Sequence, residues 1–460
     1  MSPNDDIARG LASARGFAMK GEDKAAQQAY LDLLRLDPAN FDALNELGAL
    51  ATASGHRSAA RTAYLQAVKC HPGNPVGRVN LGNLLFLAGD PAGARLQFQA
   101  ALDADPDFPE AHQGLARILD ELGEPAAQQH WQRGFVGHAV VTRPYRGAGS
   151  GVPLLLLVSA RDGNIPTQQW INDRLFAVTA IYAEFHDPTQ PLPPHALVVN
   201  AVGDADLCGE ALAGCEAITV RSTAPVINPP SRVRTTGRVE NARRLGAVDG
   251  VTAPRILRLP REQISAADAL GFPLLLRAPG FHTGRHFLYV ESHDALAPAT
   301  EALPGDELLA IEYLDARGPD GMARKYRVMF IDGALYPLHL AISTDWKVHY
   351  FTAAMAENAA YRNEERRFLD DMPGVLGARA MTALAGISAM LGLDYAGVDF
   401  ALAADGSVLA FEANATMVVN PPEPDPVWDY RRRAIADVQQ AVKQMLLRRI
   451  DARRDPWAPG

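Results

Sequence analysis

The chain has only three cysteines in 460 residues, Cys70, Cys208 and Cys215. Their spacing matches no zinc-ligand pattern, and pairing two would leave one over. That excludes a disulfide-stapled or zinc-built fold and leads us to expect a reduced, cytoplasmic setting. An excess of positive charge is missing too: 44 Lys+Arg face 53 Asp+Glu, for a net charge of −9, which argues against nucleic acid as a partner. No apolar run approaches the roughly 20 residues that span a bilayer, so no membrane partner is expected; 152–158 is a buried strand at most. The first residues, Met-Ser-Pro-Asn-Asp-Asp, lack the basic and apolar regions of a signal peptide. What remains, 48% hydrophobic and 21% charged, has the profile of a soluble globular protein, long enough for two or three domains.

What is present first is a repeat. Pro38, Pro72 and Pro106 are evenly spaced, as are Gly21, Gly55, Gly89 and Gly123. Tyr30, Tyr64 and Phe98 keep the same spacing, and so do Ala26, Ala60 and Ala94, and Leu47, Leu81 and Leu115. Each unit reads as a helix, a Gly turn, a second helix and an Asp-Pro or His-Pro stop. Small residues let paired helices approach, and the aromatic fills the gap between repeats. The pattern resembles the tetratricopeptide repeat, whose unit is 34 residues, although the family's early Trp is absent. We expect three full repeats and a fourth from Pro106 whose end, Trp131 and Phe135, acts as a cap. Such an array is either plain scaffolding or a groove for a peptide or protein partner. Asn45, Asn80 and Asn83 fall on the first helices of their repeats, where they would bond an extended backbone or simply solvate the helix.

A Gly/Pro-rich linker at about 145–152 ends this region. Beyond it the pattern becomes α/β. The run Pro153–Val158 reads as a parallel strand covered on both faces, Trp170–Thr179 as a helix, and Ala196–Asn200 and Ala217–Val220 as strands. The Asp162-Gly-Asn164 loop lies where open α/β sheets bind ligands, and equally suits a plain turn. Later come Phe272–Arg277, a strand ending in a cation, then a loop with two glycines (Gly280, Gly284) and a strand from Phe287 to Val290. Such a hairpin can fold over phosphates. Tyr326–Ile331 closes on Asp332-Gly333. Near the end, Asp399 and the pair Glu412 and Asn414 flank an Asp405-Gly406 hairpin. Side chains alternate along a strand, so these three oxygen-bearing groups can share a face, a set that suits Mg²⁺ shared with phosphate.

Taken in order, these pieces resemble the ATP-grasp superfamily, nearest its glutathione-synthetase and RimK-like ligases. The matching residues are Asn228-Pro-Pro before the Arg238 helix, Pro273–Arg277 with its Gly loop, Ile311–Leu314, and Gly397–Asp399 with Glu412–Asn414. The resemblance implies an all-α repeat solenoid (1–140), a small Rossmann-like α/β domain (152–230) and an α/β ATP-grasp domain (231–450). It also implies roles. Asp399, Glu412 and Asn414 would hold Mg²⁺ against the phosphates of ATP. Arg238 and Arg277 stand where the family has phosphate-binding lysines, a departure that keeps the charge but changes the geometry. Gly284 belongs to the loop that covers the phosphates. Glu312 and Leu314 lie on the stretch that holds adenine. Asp315 or Asp320 would take the ribose. Arg327 and Lys347 would meet the transferred phosphate or a substrate carboxylate.

The implied activity is ATP-dependent carboxylate–amine ligation through an acylphosphate, on an amino acid, peptide or protein, with the repeats helping to present it. Two alternatives belong to other classes: a scaffold or sensor that binds nucleotide without chemistry, and a small-molecule kinase. Bland readings accompany several residues. Arg324, Lys325 and Arg327 can merely solvate a strand, His339 and His349 can be packed histidines, Trp346 can be packing, and Tyr361–Arg367 reads as a solvated helix start.

Overall fold

The computed structural model of the chain describes residues 3–281, 285–348, 350 and 353–454. The chain divides into two compact units, Met1–Ala148 with Phe185–Asp187, and Gly149–Glu184 with Pro188–Gly460.

The first unit is built from four helix pairs: α1 (Pro3–Lys20) with α2 (Asp23–Leu36), α3 (Phe41–Ala53) with α4 (Arg57–Cys70), α5 (Pro75–Leu87) with α6 (Pro91–Ala104), and α7 (Pro109–Glu121) with α8 (Ala127–Phe135). A short strand, β1 (Val140–Thr142), follows. The repeat explains the turns within the pairs. Gly21, Gly55, Gly89 and Gly123 all take positive φ, 73°, 78°, 80° and 67°, the left-handed conformation that ends a helix and that side chains resist. It also explains the packing. Tyr30, Tyr64 and Phe98 are buried on the second helix of their pairs. The ring of Tyr64 presses on Gly48, where a Cβ would stand only 2.5 Å from its Cε1. Trp131 and Phe135 are buried on α8 with ring centroids 5.6 Å apart, which closes the last pair.

The second unit begins with parallel strands in the order β3-β2-β4-β5: β2 (Val152–Val158), β3 (Phe176–Tyr182), β4 (Leu197–Asn200) and β5 (Val226–Ile227). Leu154 to Leu157 are covered on both faces, as a parallel sheet requires. Helix α9 (Gly209–Val220) follows β4. Two expectations fail here. Ala217–Val220 is the end of α9, not a strand: Ala211, Leu212, Cys215 and Ile218 form one buried stripe at helical spacing, invisible in four residues alone. The Trp170–Thr179 stretch holds no α-helix; it runs from a 3₁₀ turn at Thr167–Gln169 into β3, and Phe176, Val178 and Ala180 alternate inward with the period of a strand. The Asp162–Asn164 loop closes on itself. Asn164 accepts from Ser159 N and donates to Ser159 O, each at 2.8 Å.

Short helix α10 (Pro230–Val233), helix α11 (Arg238–Leu245) and strand β6 (Val251–Thr252) lead to an antiparallel sheet of order β7-β10-β8-β9. Its strands are β7 (Ile256–Pro260), β8 (Leu274–Arg277), β9 (Phe287–Val290) and β10 (Glu307–Glu312), with α12 (His293–Glu301) inserted before β10. The last sheet has the order β12-β11-β13-β14-β6. It uses β11 (Ala323–Ile331), β12 (Ala334–Ser343), β13 (Tyr395–Leu402) and β14 (Val408–Asn414), with helices α13 (Ala359–Asp370), α14 (Met372–Leu391) and α15 (Arg432–Arg454). Helix α14 is broken at Gly377, whose φ is 79°. It is long and apolar enough to cross a membrane by length and composition, which the sequence reading had set aside. Its Leu376, Leu384, Ile387 and Leu391 instead join the core with β13. Asn228 ties the parallel strands to β13. It is fully buried, exchanges both amide hydrogen bonds with the backbone of Tyr395, and accepts at its carbonyl from Asn200.

Candidate functional site

The site is a row across the last sheet. Asp332 and Gly333 both take positive φ, the two-residue turn that folds β12 back on β11. Pro337 has no N–H to give the ladder, and the register slips beside it, between Arg327 and Val328. That bulge sets His339 opposite Arg327. Arg327 lies opposite Asp399 on β13, and Asp399 opposite Glu412 on β14, where a second bulge follows. Directly opposed residues share a face, so His339, Arg327, Asp399 and Glu412 line up across four strands. Bulges of this kind re-aim side chains.

Asp399 is the centre of the row. Arg327 grips it with a two-pronged fork, Nε to Oδ1 at 2.5 Å and Nη2 to Oδ2 at 2.8 Å. Lys325 adds its Nζ at 3.1 Å from Oδ2. Burial alone would raise the Asp399 pKa, but Arg327 and Lys325 outweigh it and hold the carboxyl far below the ordinary carboxylate range. Glu412 behaves likewise: burial opposes the charge, while Arg238 and Arg277 hold its pKa down. Arg238 reaches it with Nη2 at 2.9 Å from Oε1. The first turn of α11 is fixed by Asp206, which accepts from Arg238 N at 2.8 Å, and by Asn241, whose side chain donates to Ala413 O.

Arg277 differs from its neighbours. It is only 8% exposed, yet among the described residues no carboxylate lies within ion-pair distance of it. Its Nη2 donates to Phe281 O, and its guanidinium stands 5.5 Å from the Phe287 ring centroid. Burial, then the nearby Arg238 charge, pull its pKa down to about 10. A buried cation beside a second cation is costly unless an anion arrives.

The remaining residues picked from the sequence divide. Asn414 lies opposite Gly397, two register positions from Asp399 on the same face, and donates to Glu412 Oε1 at 2.9 Å. Its oxygen accepts from Thr416 N and Oγ1, at 3.0 and 2.9 Å, so it turns its amino group, not its oxygen, toward Glu412. Among the described residues no group of three or more His, Cys, Asp or Glu side chains is placed to hold a metal. The two opposed carboxylates are both cation-bound, and would have to give up some of those contacts to take a Mg²⁺ together with substrate phosphates. Glu312 does not offer its carboxylate as expected: Arg255 occupies it from N, Nε and Nη2 at 3.0, 3.1 and 3.2 Å. Asp315 pairs with Arg317 at 2.7 Å and Asp320 with Arg324 at 2.8 Å. Lys347 is exposed in the loop after β12, whose Trp346 packs on Phe287 and Tyr289. The lysine that reaches Asp399 is Lys325, because it lies two residues before Arg327 on the same face of β11. Gly284, and with it His282 and His349, lies outside the described residues.

Sequence reading missed more than Lys325. Glu365, placed in a solvated helix start, is fully buried. It accepts from Leu340 N at 3.3 Å, Tyr350 OH at 3.2 Å and Tyr430 OH. Burial pushes its pKa up despite Arg431 nearby. Arg324 is no bare surface charge either, since it bridges Asp320 and Glu364. A helical wheel carries the only early signal for Glu365: it stands three residues before the buried Phe368 and therefore close to its face.

Comparison with known proteins bears on the first unit. Models of the tetratricopeptide repeat match residues 20–75 and 85–127, so the N-terminal region is a tetratricopeptide-repeat array. A crystal structure of MamA protein matches at 20% identity and TM-score 0.27, covering 29% of this chain and 73% of that one. Pseudomonas aeruginosa pilF matches at 24% identity and TM-score 0.27, covering 28% of this chain and 59% of that one. A tetratricopeptide repeat protein from Parabacteroides merdae matches at 21% identity and TM-score 0.27, covering 28% and 53%. No curated protein matches the chain.

Proposed function

We propose that the second unit is an ATP-grasp ligase joining a carboxylate to an amine, with formation of ADP, and that the repeat array binds a peptide or protein partner or substrate. The observation that carries the nucleotide reading is Arg277, buried, without an ion-paired carboxylate among the described residues and close enough to Arg238 to feel its charge. Two adjacent guanidiniums of this kind suit a polyphosphate. Arg277 ends β8 and Arg238 begins α11, and the charges of both act on Glu412. Mg²⁺, held by Asp399 and Glu412, would neutralise phosphate charge.

In this reading Arg238 and Arg277 fix the phosphates, and the backbone at Glu312–Leu314 takes the base. The substrate carboxylate attacks the γ-phosphorus, the bond to the β–γ bridging oxygen breaks, and ADP leaves with that oxygen. Arg327, braced by Asp399, and Lys325 offset charge on the transferred group. An amine then attacks the acylphosphate carbon, loses a proton, and inorganic phosphate leaves.

A second reading has its own support. Asp399 and Glu412 are already satisfied by arginines, and Asn414 turns its oxygen away, which suits a scaffold that binds nucleotide without turning it over. ADP release measured against a panel of amino acids and peptides, with Glu412→Ala as the control and products identified by mass, separates them. A condensed product supports the ligase and a phosphorylated one means a kinase. Bound Mg·ATP with no ADP from any compound sinks the ligase reading. Arg277→Met should weaken ATP binding by roughly ten- to a hundredfold, the worth of one charged hydrogen-bonding group.

A further inference from the structure

Among the described residues, two buried polar atoms beside the row lack a hydrogen bond. His339 Nδ1 and Arg431 Nε are both enclosed and make no hydrogen bond. They belong to one cluster. The His339 ring lies 4.8 Å from the Tyr350 ring, and the Arg431 guanidinium 4.2 Å from that ring's centroid. Arg431 closes the 3₁₀ turn Pro426–Arg431, which follows the segment after Asn414. Its nearest carboxylate, Glu365, stands 3.4 Å from Nε without the alignment of a hydrogen bond. Glu365 already accepts from Leu340 N, Tyr350 OH and Tyr430 OH. Arg431 Nε is thus left with a loose ion pair and, among the described residues, no hydrogen bond. Native proteins seldom leave buried donors unmet, and such atoms mark a place for a ligand. An imidazole nitrogen and a guanidinium gathered at one aromatic ring suit a planar anion, a carboxylate.

We propose that Arg431 and His339 bind the carboxylate of the substrate that is not phosphorylated, so the enzyme takes an amino acid or a peptide with a free α-carboxylate. This rests on the ligase reading in assigning that anion to a substrate. The row supplies the distance logic. His339 is Arg327's cross-strand partner, so a carboxylate held there sits one strand from the Arg327–Asp399 fork where the reacting group is handled. Arg431 is a positioning and binding residue here.

The test is equilibrium binding to the full chain, with Mg²⁺ and a non-hydrolysable ATP analogue present. The probes are L-alanyl-L-alanine and L-glutamate, each compared with its α-carboxamide. The free acids should bind at least tenfold tighter than the amides. Arg431→Gln should erase that preference, and Arg431→Lys, which keeps the charge but not the fork, should retain part of it. Thermal melts of both variants check folding, and His339→Gln, which keeps a donor in place, should weaken the acids only a fewfold. Equal binding of acids and amides, no binding of either acid, or an unchanged preference in a folded Arg431→Gln overturns the proposal. ADP release on the same probes tests the other reading separately. Acid-selective binding with no ADP from these probes or from any compound of the panel leaves the carboxylate site standing and removes the ligase. ADP release without acid selectivity does the reverse.

Discussion

The two units depend on their residues in opposite ways. In the repeat array each element is held by neighbours that look like itself: Gly48 admits the ring of Tyr64, and Gly82 that of Phe98, in the next pair along. Stability in such a stack is close to a sum of local terms. In the α/β unit single residues hold distant segments together. Asn228 joins β4 and β5 to β13, and Asp399 receives two cations from β11. One unit distributes its constraints and the other concentrates them, and the concentrated ones lie where the chemistry is proposed.

The sharpest way to break this contrast is Asp399→Asn. It would leave the half-buried Lys325 and Arg327 without their buried carboxylate, and stripping one partner from a buried ion pair costs about 3–5 kcal/mol. Urea melts should show the α/β transition moved by that amount with the repeat transition unchanged. A change below about 1 kcal/mol would mean that water already shares the pair. The next effect belongs to the repeats. Gly48→Val puts a Cβ 2.5 Å from the Tyr64 ring, and overpacking of this sort costs about 1–3 kcal/mol. A one-dimensional stack should soften near α3 and α4 while hydrogen exchange in α7 and α8 stays put.

The contrast also governs what could be read from the sequence. The repeat array was legible because several residue types share one spacing, and its glycines mark their own backbone conformation. The hairpin carrying Asp399 and Glu412 was legible from Asp405-Gly406 and strand alternation. The partners were not. Lys325, rather than Lys347, reaches Asp399 through a strand face. Arg255 fills Glu312 from 57 positions away, and Arg431 comes from beyond a proline-rich segment. Long-range pairings depend on bulges beside Pro337 and after Asp399, and no local pattern announces which residue a bulge will re-aim. Glu365 was misjudged for a related reason: a charged residue in a charged stretch looks solvated until its tyrosine partners are known.

The smallest effect expected is a pH slope confined to the α/β unit. His339 is buried, and burial followed by the Arg327 charge keeps its pKa well below the ordinary histidine value. It is therefore neutral in the folded chain, while in the unfolded chain it takes up a proton below about pH 6.5. The unfolded state then binds more protons, so stability falls as pH is lowered through that value and recovers above it. One such group contributes a slope of at most about 1.4 kcal/mol per pH unit. Urea melts of the α/β transition between pH 7 and pH 5 should therefore flatten by up to this amount in His339→Gln, which cannot titrate. If His339 were instead protonated in place, sharing its charge with Asp399 across Arg327, the native slope would have the opposite sign and the substitution would remove stability at low pH. An unchanged slope would mean that water reaches the ring and that the row is open at its β12 end.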